Sequence, residues 1–390
     1  FSQIVGPHQE YEYFIKTYNE MGLSTDGNKY GLVTRIYIPN SLPTIPEITV
    51  SGVNDSGYLN TDSTVVNIYS KDIFNNRFEH CVDYDNDNVY YRYLVKKDEE
   101  IIIDEESKNP YLLLTELENG STYEIQVLVT DNVLNENGEI DYVSSDIYSF
   151  TVDKEGPIVT MTPADDHYVA EKEISISASD SISQIAGIEY KWGEDGEWRQ
   201  LPENNKVTAP HGANKLTVIA RDKAGNETVV SNVYRVDMTA PEIKTVQVQD
   251  IKDYNGQYYV TKNNNIYLDL EFSEDLTNII SYHYGLIEES ESVSNISLDD
   301  LMKVEINGIN SYKGEQLIEA DLLDGKKYYP VIMVTNSAGR STEIQRIEPG
   351  FYVDGSIPEL NIEIRGLVAG QHNTFLTDVE AIDKIGRAHV

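Results

Sequence analysis

The sequence predicts an all-β protein built as a tandem array of β-sandwiches, and three observations lead to this prediction. Apolar and polar residues alternate as in half-buried strands, most clearly over residues 173–178 and 266–272. Val, Ile and Tyr are abundant, whereas Gly, Asn and Asp interrupt every run, so the strands are expected to be short. A short phrase also returns along the chain, which is typical of repeated domains.

The returning phrase is an aromatic strand end followed by an Asp and, four residues later, a Pro. It occurs as FTVDKEGPIV at 150–159, YRVDMTAPEI at 234–243 and FYVDGSIPEL at 351–360. The intervals between these phrases are close to the ~100 residues of one sandwich. Each phrase is therefore predicted to be a seam between successive sandwiches. A weaker seam, Pro46-Glu47-Ile48, opens the preceding unit.

The seams divide the chain into six segments. They are the end of a sandwich at 1–40, full sandwiches at 44–153, 154–237 and 238–354, the start of a further sandwich at 355–384, and a tail at 385–390. The tail IGRAHV is similar to a translated sequencing-library adapter and is left out of the fold prediction. We expect the chain to be an internal piece of a longer protein.

Composition excludes several partners. Lys and Arg number 30 against 66 Asp and Glu, a net charge of −36, which disfavours nucleic acid and anionic lipid and favours cations. One cysteine, Cys81, excludes a disulfide framework and is interpreted as an unpaired, unreactive thiol. No apolar run approaches the ~18 residues of a membrane span.

A second signature places Leu, Gly and Tyr three residues apart, at Leu117, Gly120 and Tyr123. Leu322, Gly325 and Tyr328 repeat it, and Asp131 and Asn336 follow the two Tyr residues by eight positions, as Asn19 follows Tyr11. Such a Tyr on strand F predicts a tyrosine corner, whose hydroxyl bonds backbone upstream. Through these residues the units at 1–40, 44–153 and 241–354 resemble fibronectin type III domains. The strand-B Trp typical of that family is missing.

The central unit lacks this signature, because Asn214 stands eight residues before Asp222 and no tyrosine corner is expected. Instead, IEYKWGEDGEWRQL at 188–201 and LTVIARDKAGNETVVS at 216–231 resemble the bacterial Ig-like repeats of large surface proteins. That resemblance implies a seven-strand sandwich with no catalytic centre. It also implies, by analogy, an array on a bacterial surface.

Candidate metal ligands follow from topology. The B–C and F–G loops of one sandwich should lie beside the seam that precedes it, so acidic residues from three segments should meet at each joint. These are Asp153, Asp180, Asp222 and Asn226 at one joint, and Asp237, Glu274, Asp275 and Asn336 at the next. Converging hard oxygens suit calcium. The alternative is that Asp and Asn are here as turn residues that cap backbone amides.

Other candidate sites are weaker. Asp83, Asp85 and Asp87 imitate the start of an EF-hand loop, yet Asn88 and Leu94 break the pattern, so a solvated loop before a strand at 89–95 is expected. Trp192 and Trp198 flank a turn and offer either sugar stacking or hairpin packing. The segment SLDDLMKVEI at 297–306 starts like a capped helix but is short enough to be a crossing turn.

No catalytic motif is present, and the seven His residues are scattered singly. The sequence therefore predicts a non-catalytic spacer or adhesion segment of a secreted or wall-attached bacterial protein, with an extracellular protein or glycan as partner and calcium as the candidate ion. One alternative makes the units accessory, carbohydrate-binding modules of a secreted carbohydrate-active enzyme. The other makes one unit a ligand-binding adhesin, with 241–354 as the best candidate because of its insertions.

Overall fold

The computed structural model describes residues 40–355 apart from 73, 136, 165 and 262–264, together with residue 21 and four further strands. Those strands form two antiparallel pairs. Near the start, β1 (Glu10–Tyr13) pairs with β2 (Thr34–Tyr37), and near the end, β30 (Glu359–Arg365) pairs with β31 (Leu376–Ile382). The predicted corner Tyr of the first segment lies in β1, but its side chain and Asn19 lie outside the described residues.

The segment at 44–153 forms a sandwich of two sheets. Its strands are β3 (Pro46–Val50), β4 (Tyr58–Leu59), β5 (Thr64–Lys71), β6 (Arg77–Phe78), β7 (Tyr90–Lys97), β8 (Glu100–Ser107), β9 (Tyr111–Leu114), β10 (Thr122–Thr130), β11 (Val143–Ser144) and β12 (Tyr148–Val152). One sheet has the order β3-β5-β6 with β9 also on β5, and the other has the order β4-β12-β10-β7-β8 with β11 also on β10. This is the A-B-E and G-F-C-C′ arrangement of Ig-like sandwiches.

The core of this sandwich joins the inward faces of both sheets. Val66 and Ile68 of β5 meet Tyr93 of β7 and Ile125 and Val127 of β10, and all five are at most 1% exposed. Cys81 belongs to this cluster, and burial raises the pKa of its thiol to about 12. The predicted unreactive cysteine is therefore a core residue.

In the central segment the described residues, which omit 165, form seven strands, the number that the resemblance implied. They are β13 (Ile158–Thr162), β14 (Glu173–Ser179), β15 (Ile185–Trp192), β16 (Arg199–Gln200), β17 (Lys206–Thr208), β18 (Gly212–Asp222) and β19 (Glu227–Val236). Their sheets have the orders β13-β14-β17 and β16-β15-β18-β19, which correspond to A-B-E and C′-C-F-G. The predicted alternation is present in β14, where Ile174 and Ile176 are buried between exposed neighbours.

The segment at 238–354 repeats the arrangement with additions. Its strands are β20 (Glu242–Val248), β21 (Lys252–Tyr254), β22 (Gln257–Thr261), β23 (Asn265–Ser273), β24 (Ile279–Glu288), β25 (Met302–Ile309), β26 (Ser311–Glu319), β27 (Lys327–Asn336), β28 (Gln345–Arg346) and β29 (Phe351–Asp354). The sheets have the orders β20-β23-β26 and β21-β22-β29-β27-β24-β25, with β28 also on β27. The helix-like start at 297 is only a 3₁₀ turn, Leu298–Asp300, closed by a Ser297/Asp300 capping box before β25 begins.

The core of this third sandwich again uses both sheets. Leu268, Leu270 and Phe272 of β23, which were predicted to face inward, meet Tyr282 of β24 and Val334 of β27.

The chain as a whole divides into two compact units. One holds residues 1–160, 177–190 and 218–230, and the other holds 161–176, 191–217 and 231–390. The domain boundaries drawn at the seams stay a prediction.

The two predicted tyrosine corners whose side chains the structure describes, at Tyr123 and Tyr328, are present. The Glu118 N–H donates to Tyr123 Oη at 3.0 Å, and the Leu323 N–H donates to Tyr328 Oη at 3.1 Å. In the central segment Asn214 takes over this task, since its Nδ2 donates to His211 O at 2.9 Å and to Pro210 O at 3.2 Å. A shorter polar side chain thus closes the same corner from the same position on strand F.

The corner hydroxyl is expected to contribute about 1 kcal/mol, because its loss leaves the Glu118 N–H without its acceptor. Replacing Tyr123→Phe should therefore raise the labelling rate of Cys81 by a thiol reagent about fivefold, since that thiol is exposed only when its sandwich unfolds. The matched control is Tyr111→Phe, at an exposed ring of β9. Equal labelling of the two variants would contradict a stabilising corner.

Candidate functional site

The joint at Asp153 gathers three chain segments. Asp153 follows β12 and its N–H donates to Leu59 O at 2.9 Å. Asp180 lies in the B–C loop after β14, and Asp222 ends β18 at the F–G turn. Antiparallel strands place the B–C and F–G loops at one end of a sandwich, which is the end that follows the seam. The predicted convergence of these three segments is present.

The three carboxylates lie close together. Within the described part of the chain, Asp153, Asp180 and Asp222 form the group of three whose ligand atoms all lie within 4.8 Å of one another. Asp153 is 0% exposed and Asp222 is 2% exposed, whereas Asp180 is half-buried. Burial weakens solvent screening, so the mutual repulsion of three carboxylates is felt more strongly here than at a surface.

The alternative role as turn caps accounts for part of each side chain. Asp180 Oδ1 accepts the N–H groups of Ile182, Ser183 and Gln184 at 2.7 to 3.1 Å. Asp222 Oδ1 accepts the Asn226 N–H at 2.8 Å. These bonds shape the loops and end on one oxygen of each carboxylate. The second oxygen of Asp180 is outside these turn caps, whereas the second oxygen of Asp222 accepts from Asn226 Nδ2 at 2.9 Å.

Asp153 is different, because one of its oxygens is buried without a partner. Its Oδ1 accepts the Glu155 N–H at 3.2 Å, but its Oδ2 has no hydrogen-bond partner. An unpaired buried carboxylate oxygen is costly, by about 1 to 3 kcal/mol or more. Its carboxylate belongs to the group of three, where a cation would compensate the unpaired charge.

Asn226, whose role as a ligand stays a prediction, is a donor that ties the F–G turn to the seam. Its Nδ2 donates to Asp153 O at 2.9 Å, to Glu155 O at 3.2 Å and to Asp222 Oδ2 at 2.9 Å. The two main-chain acceptors belong to the seam itself.

The next joint uses the same segments with different chemistry. Asp237 is 0% exposed, and its Oδ1 accepts from Thr239 N and Oγ1 at 3.0 and 2.6 Å. Its Oδ2 accepts from Thr277 Oγ1 at 2.8 Å and from Asn336 Nδ2 at 3.0 Å. Burial raises the pKa of Asp237, but the hydrogen bonds from Thr239 and Thr277 outweigh it, so the pKa lies below its ordinary value.

Asn336 is the centre of this second joint. Its Nδ2 also donates to Thr239 O at 3.0 Å and to Glu274 Oε2 at 3.1 Å. It therefore contacts oxygens from the seam and from the B–C loop at once. Asp275, predicted as a ligand, is exposed and takes part only through its N–H, which donates to Glu274 Oε1 at 3.0 Å. The buried acid of this loop is Glu274, not Asp275.

Near the weaker seam, before the first full sandwich, the structure shows polar contacts that the sequence did not predict. Asn40 Nδ2 donates to Asp131 Oδ2 at 2.6 Å. Asp85 Oδ2 accepts from Ser41 N and Oγ at 2.6 and 2.7 Å. The eight-residue step from the corner Tyr to Asp131 was the available signal, since the same step leads to Asn336.

The predicted solvated loop at 83–88 exposes Tyr84, Asn86 and Asn88, but its first acid, Asp83, is not solvated. Asp83 is buried, its Oδ1 accepts the Asp85 N–H at 2.7 Å, and its Oδ2 has no hydrogen-bond partner. Burial, with a smaller contribution from Asp131, raises the pKa of Asp83. Asp85 of this loop bonds the seam, and the strand after the loop runs over Tyr90–Lys97.

The two Trp residues have separate environments. Trp192 is half-buried and meets Tyr234 edge to face at 6.2 Å between ring centroids. Trp198 is 43% exposed, and Lys191 Nζ lies 5.4 Å from its ring centroid. One ring therefore packs, as hairpin packing predicted, while sugar stacking by the other stays a prediction.

In the described part of the chain, no helix has the length and apolar character to cross a bilayer.

Comparisons with known proteins return structures but no sequence family. No family model matches the chain, and no curated protein matches it. The FN1–FN3 domains of chicken CNTN1 match at 14% identity and a TM-score of 0.25, covering 79% of this chain and 99% of that one. Fibronectin(III)-like modules of Clostridium thermocellum CbhA match at 14% identity and a TM-score of 0.28, covering 49% and 94%.

A bacterial ice-binding adhesin structure matches at 12% identity and a TM-score of 0.33, covering 81% of this chain and 100% of that one. Superpositions with scores this low say nothing about function. The assignment to Ig-like and fibronectin III-like sandwiches rests on strand order and on the tyrosine corners.

Replacing Asp237→Asn should loosen the second joint, because the new amide cannot accept from both Thr239 and Asn336. We expect a loss of roughly 2 to 3 kcal/mol at pH 7. Since the folded pKa of Asp237 is lowered, its stabilisation is present above the unfolded value of about 4 and is lost as pH falls below it. The penalty of the variant should therefore shrink at pH 3.

The measurement is urea unfolding followed by hydrogen exchange in peptides of the third sandwich and its seam. Asp275→Asn removes the same charge from an exposed neighbour and is the matched control. A penalty that is equal in the two variants, or that grows on acidification, would show that the buried carboxylate does not stabilise the joint.

Proposed function

We propose that this chain is a non-catalytic spacer segment of a secreted or wall-attached bacterial multidomain protein, and that its joints transmit orientation from one sandwich to the next. One observation carries the proposal: at successive joints an amide side chain ties the seam to the F–G loop. Asn226 bonds the main chain at Asp153 and Glu155, and Asn336 bonds Asp237 and Thr239. Seams held in this way are expected to be less flexible than a Gly/Ser-rich linker.

A spacer requires solubility, and the charge supports it. The net charge of −36 keeps such a chain soluble and disfavours association with other polyanions. The same charge draws divalent cations toward the acidic loops. The joint at Asp153 is the place where this attraction has a specific target, because its carboxylates converge and one buried oxygen lacks a donor.

We further propose that Ca²⁺ binds at this joint. Asp153, Asp180 and Asp222 supply the carboxylate oxygens, in agreement with the preference of Ca²⁺ for hard oxygen ligands in flexible geometry. Because these carboxylates come from the seam, the B–C loop and the F–G turn, one ion would clamp both sides of the joint. A site of micromolar affinity would stabilise the joint by about 4 kcal/mol at millimolar Ca²⁺.

The test is a distance measurement across the joint by electron spin resonance on the full chain. Spin labels are attached at E105C and V229C, two exposed positions on either side of the seam. Cys81 does not interfere, since it is buried and its thiol pKa is raised. With millimolar Ca²⁺ the distance distribution should be narrow, and excess chelator should broaden it.

The same labelled protein with Asp195→Asn is the control, because Asp195 is an acid of the central sandwich outside the joint. It should respond to Ca²⁺ as the parent does. A broad distribution in both conditions would refute the spacer role, and a narrow distribution that ignores chelator would refute the calcium clamp while leaving the spacer.

A further inference from the structure

The three described joints differ in one pair of residues, formed by the seam and the end of strand F. In the joint before the first full sandwich the pair is Asn40 and Asp131, with the amide donating to the carboxylate at 2.6 Å. In the joint after the central sandwich it is Asp237 and Asn336, with the amide donating at 3.0 Å. The amide lies in the seam in the first pair and at the end of strand F in the second. Each pair contains one amide and one carboxylate.

The joint at Asp153 breaks this pattern, because Asp153 and Asp222 are both carboxylates. Neither can donate to the other, and Asp153 Oδ2 is left buried without a partner. The available donor, Asn226 Nδ2, serves Asp222 Oδ2 and the main-chain oxygens of the seam. Two carboxylates in one buried place need a shared counter-charge.

Asn336 shows where that counter-charge would lie. Its Nδ2 is 3.0 to 3.1 Å from Asp237 Oδ2, Thr239 O and Glu274 Oε2, which belong to the seam and the B–C loop. These are the segments that supply Asp153 and Asp180 at the other joint. An amide NH2 group, whose hydrogens carry partial positive charge, thus lies among the oxygens of equivalent segments. Thr277 completes the set by donating to Asp237 Oδ2.

We propose that this residue pair decides whether a joint takes a divalent cation. An amide and a carboxylate in this pair bond each other and need no ion between them, whereas two carboxylates require one. At the Asn40 joint this holds for the pair itself, and Asp83 Oδ2 of the adjacent loop and Asn40 Oδ1 are buried there without a partner. The pair at Asp153 and Asp222 is therefore a cation-dependent joint, and the pair at Asp237 and Asn336 is a cation-independent joint. This inference rests on the calcium site proposed above.

Exchanging Asp and Asn within a pair should therefore change whether that joint binds Ca²⁺. Asp222→Asn offers Asp153 a donor in exchange for the bond that Asp222 Oδ2 accepts from Asn226 Nδ2, while Asn226 keeps its bonds to Asp153 O and Glu155 O. Asp153→Asn creates the arrangement of the Asn40 joint, and the new side chain retains an oxygen to accept the Glu155 N–H. Each variant should abolish Ca²⁺ binding at the joint and keep it closed. Asn336→Asp should create a second Ca²⁺ site.

The experiment is calorimetric titration of the chelator-treated full chain with CaCl₂. A tight binding event in the parent should weaken at least 100-fold in D222N and in D153N, and N336D should add a second event. D195N, which changes an acid of the same sandwich outside the joint, should bind as the parent does. Hydrogen exchange of the seam peptide around Glu155 should be slowed by Ca²⁺ in the parent, and should be slow with or without Ca²⁺ in D222N and D153N.

The outcomes separate the two proposals. If the parent binds Ca²⁺ but D222N and D153N bind it equally well, or N336D gains no site while remaining folded by hydrogen exchange, the pair rule is wrong and the calcium site stands. If the parent binds none and N336D does, the site at Asp153 fails and the pair rule is supported at the other joint. If neither binds, both are refuted. If N336D unfolds, Ca²⁺ binding by D222N and D153N decides the pair rule.

Discussion

A carboxylate buried at the end of a sandwich is the constraint on which the joints depend. Asp153 and Asp237 are both fully buried, and their N–H groups close the last strand by donating to Leu59 O and Val169 O. Their side chains then point to groups of the following sandwich, because the donors that satisfy Asp237 come from Thr277 and Asn336. The ordering of one sandwich end is thus linked to the loops of the next.

Strand F carries this constraint through each sandwich. Tyr328 stands near the start of β27 and closes the corner at one end, while Asn336 ends the same strand and enters the joint at the other. The eight-residue step between them is the length of the strand, about 26 Å at the usual rise. The same relation holds for Tyr123 and Asp131 around β10, so the step that the sequence repeats is a structural distance between corner and joint.

Variation between joints occurs within this constant frame. Asn214 replaces the corner Tyr in the central sandwich, and the corner still closes because a short amide reaches the same backbone. At the joints, amides and carboxylates exchange places between the seam and strand F, as Asn40 and Asp131 show against Asp237 and Asn336. Hydrogen-bond complementarity tolerates such exchange as long as one partner donates. The arrangement of strands and corners is therefore constant, whereas a single substitution can change the hydrogen bonding at a joint.

The sequence by itself determined the all-β class, the repeats and the inward faces of the strands. Period-2 alternation places Leu268, Leu270 and Phe272 on one face wherever the strand lies, and the Leu-Gly-Tyr spacing specifies a corner locally. It also brought Asp153, Asp180 and Asp222 together, since topology alone puts those loops at one end.

Only the tertiary structure decided which of the many acids are buried and which atoms are satisfied. Glu274 rather than Asp275 enters the joint, the Asn226 amide donates to the seam and to Asp222, and Asp83 is buried within an otherwise exposed loop. Adjacent acids are indistinguishable in a sequence, because burial and hydrogen bonding depend on partners about 40 to 170 residues away in the chain. The Oδ2 of Asp153 is unpaired because none of the three segments around it supplies a donor, and a repeat pattern in the sequence cannot show this.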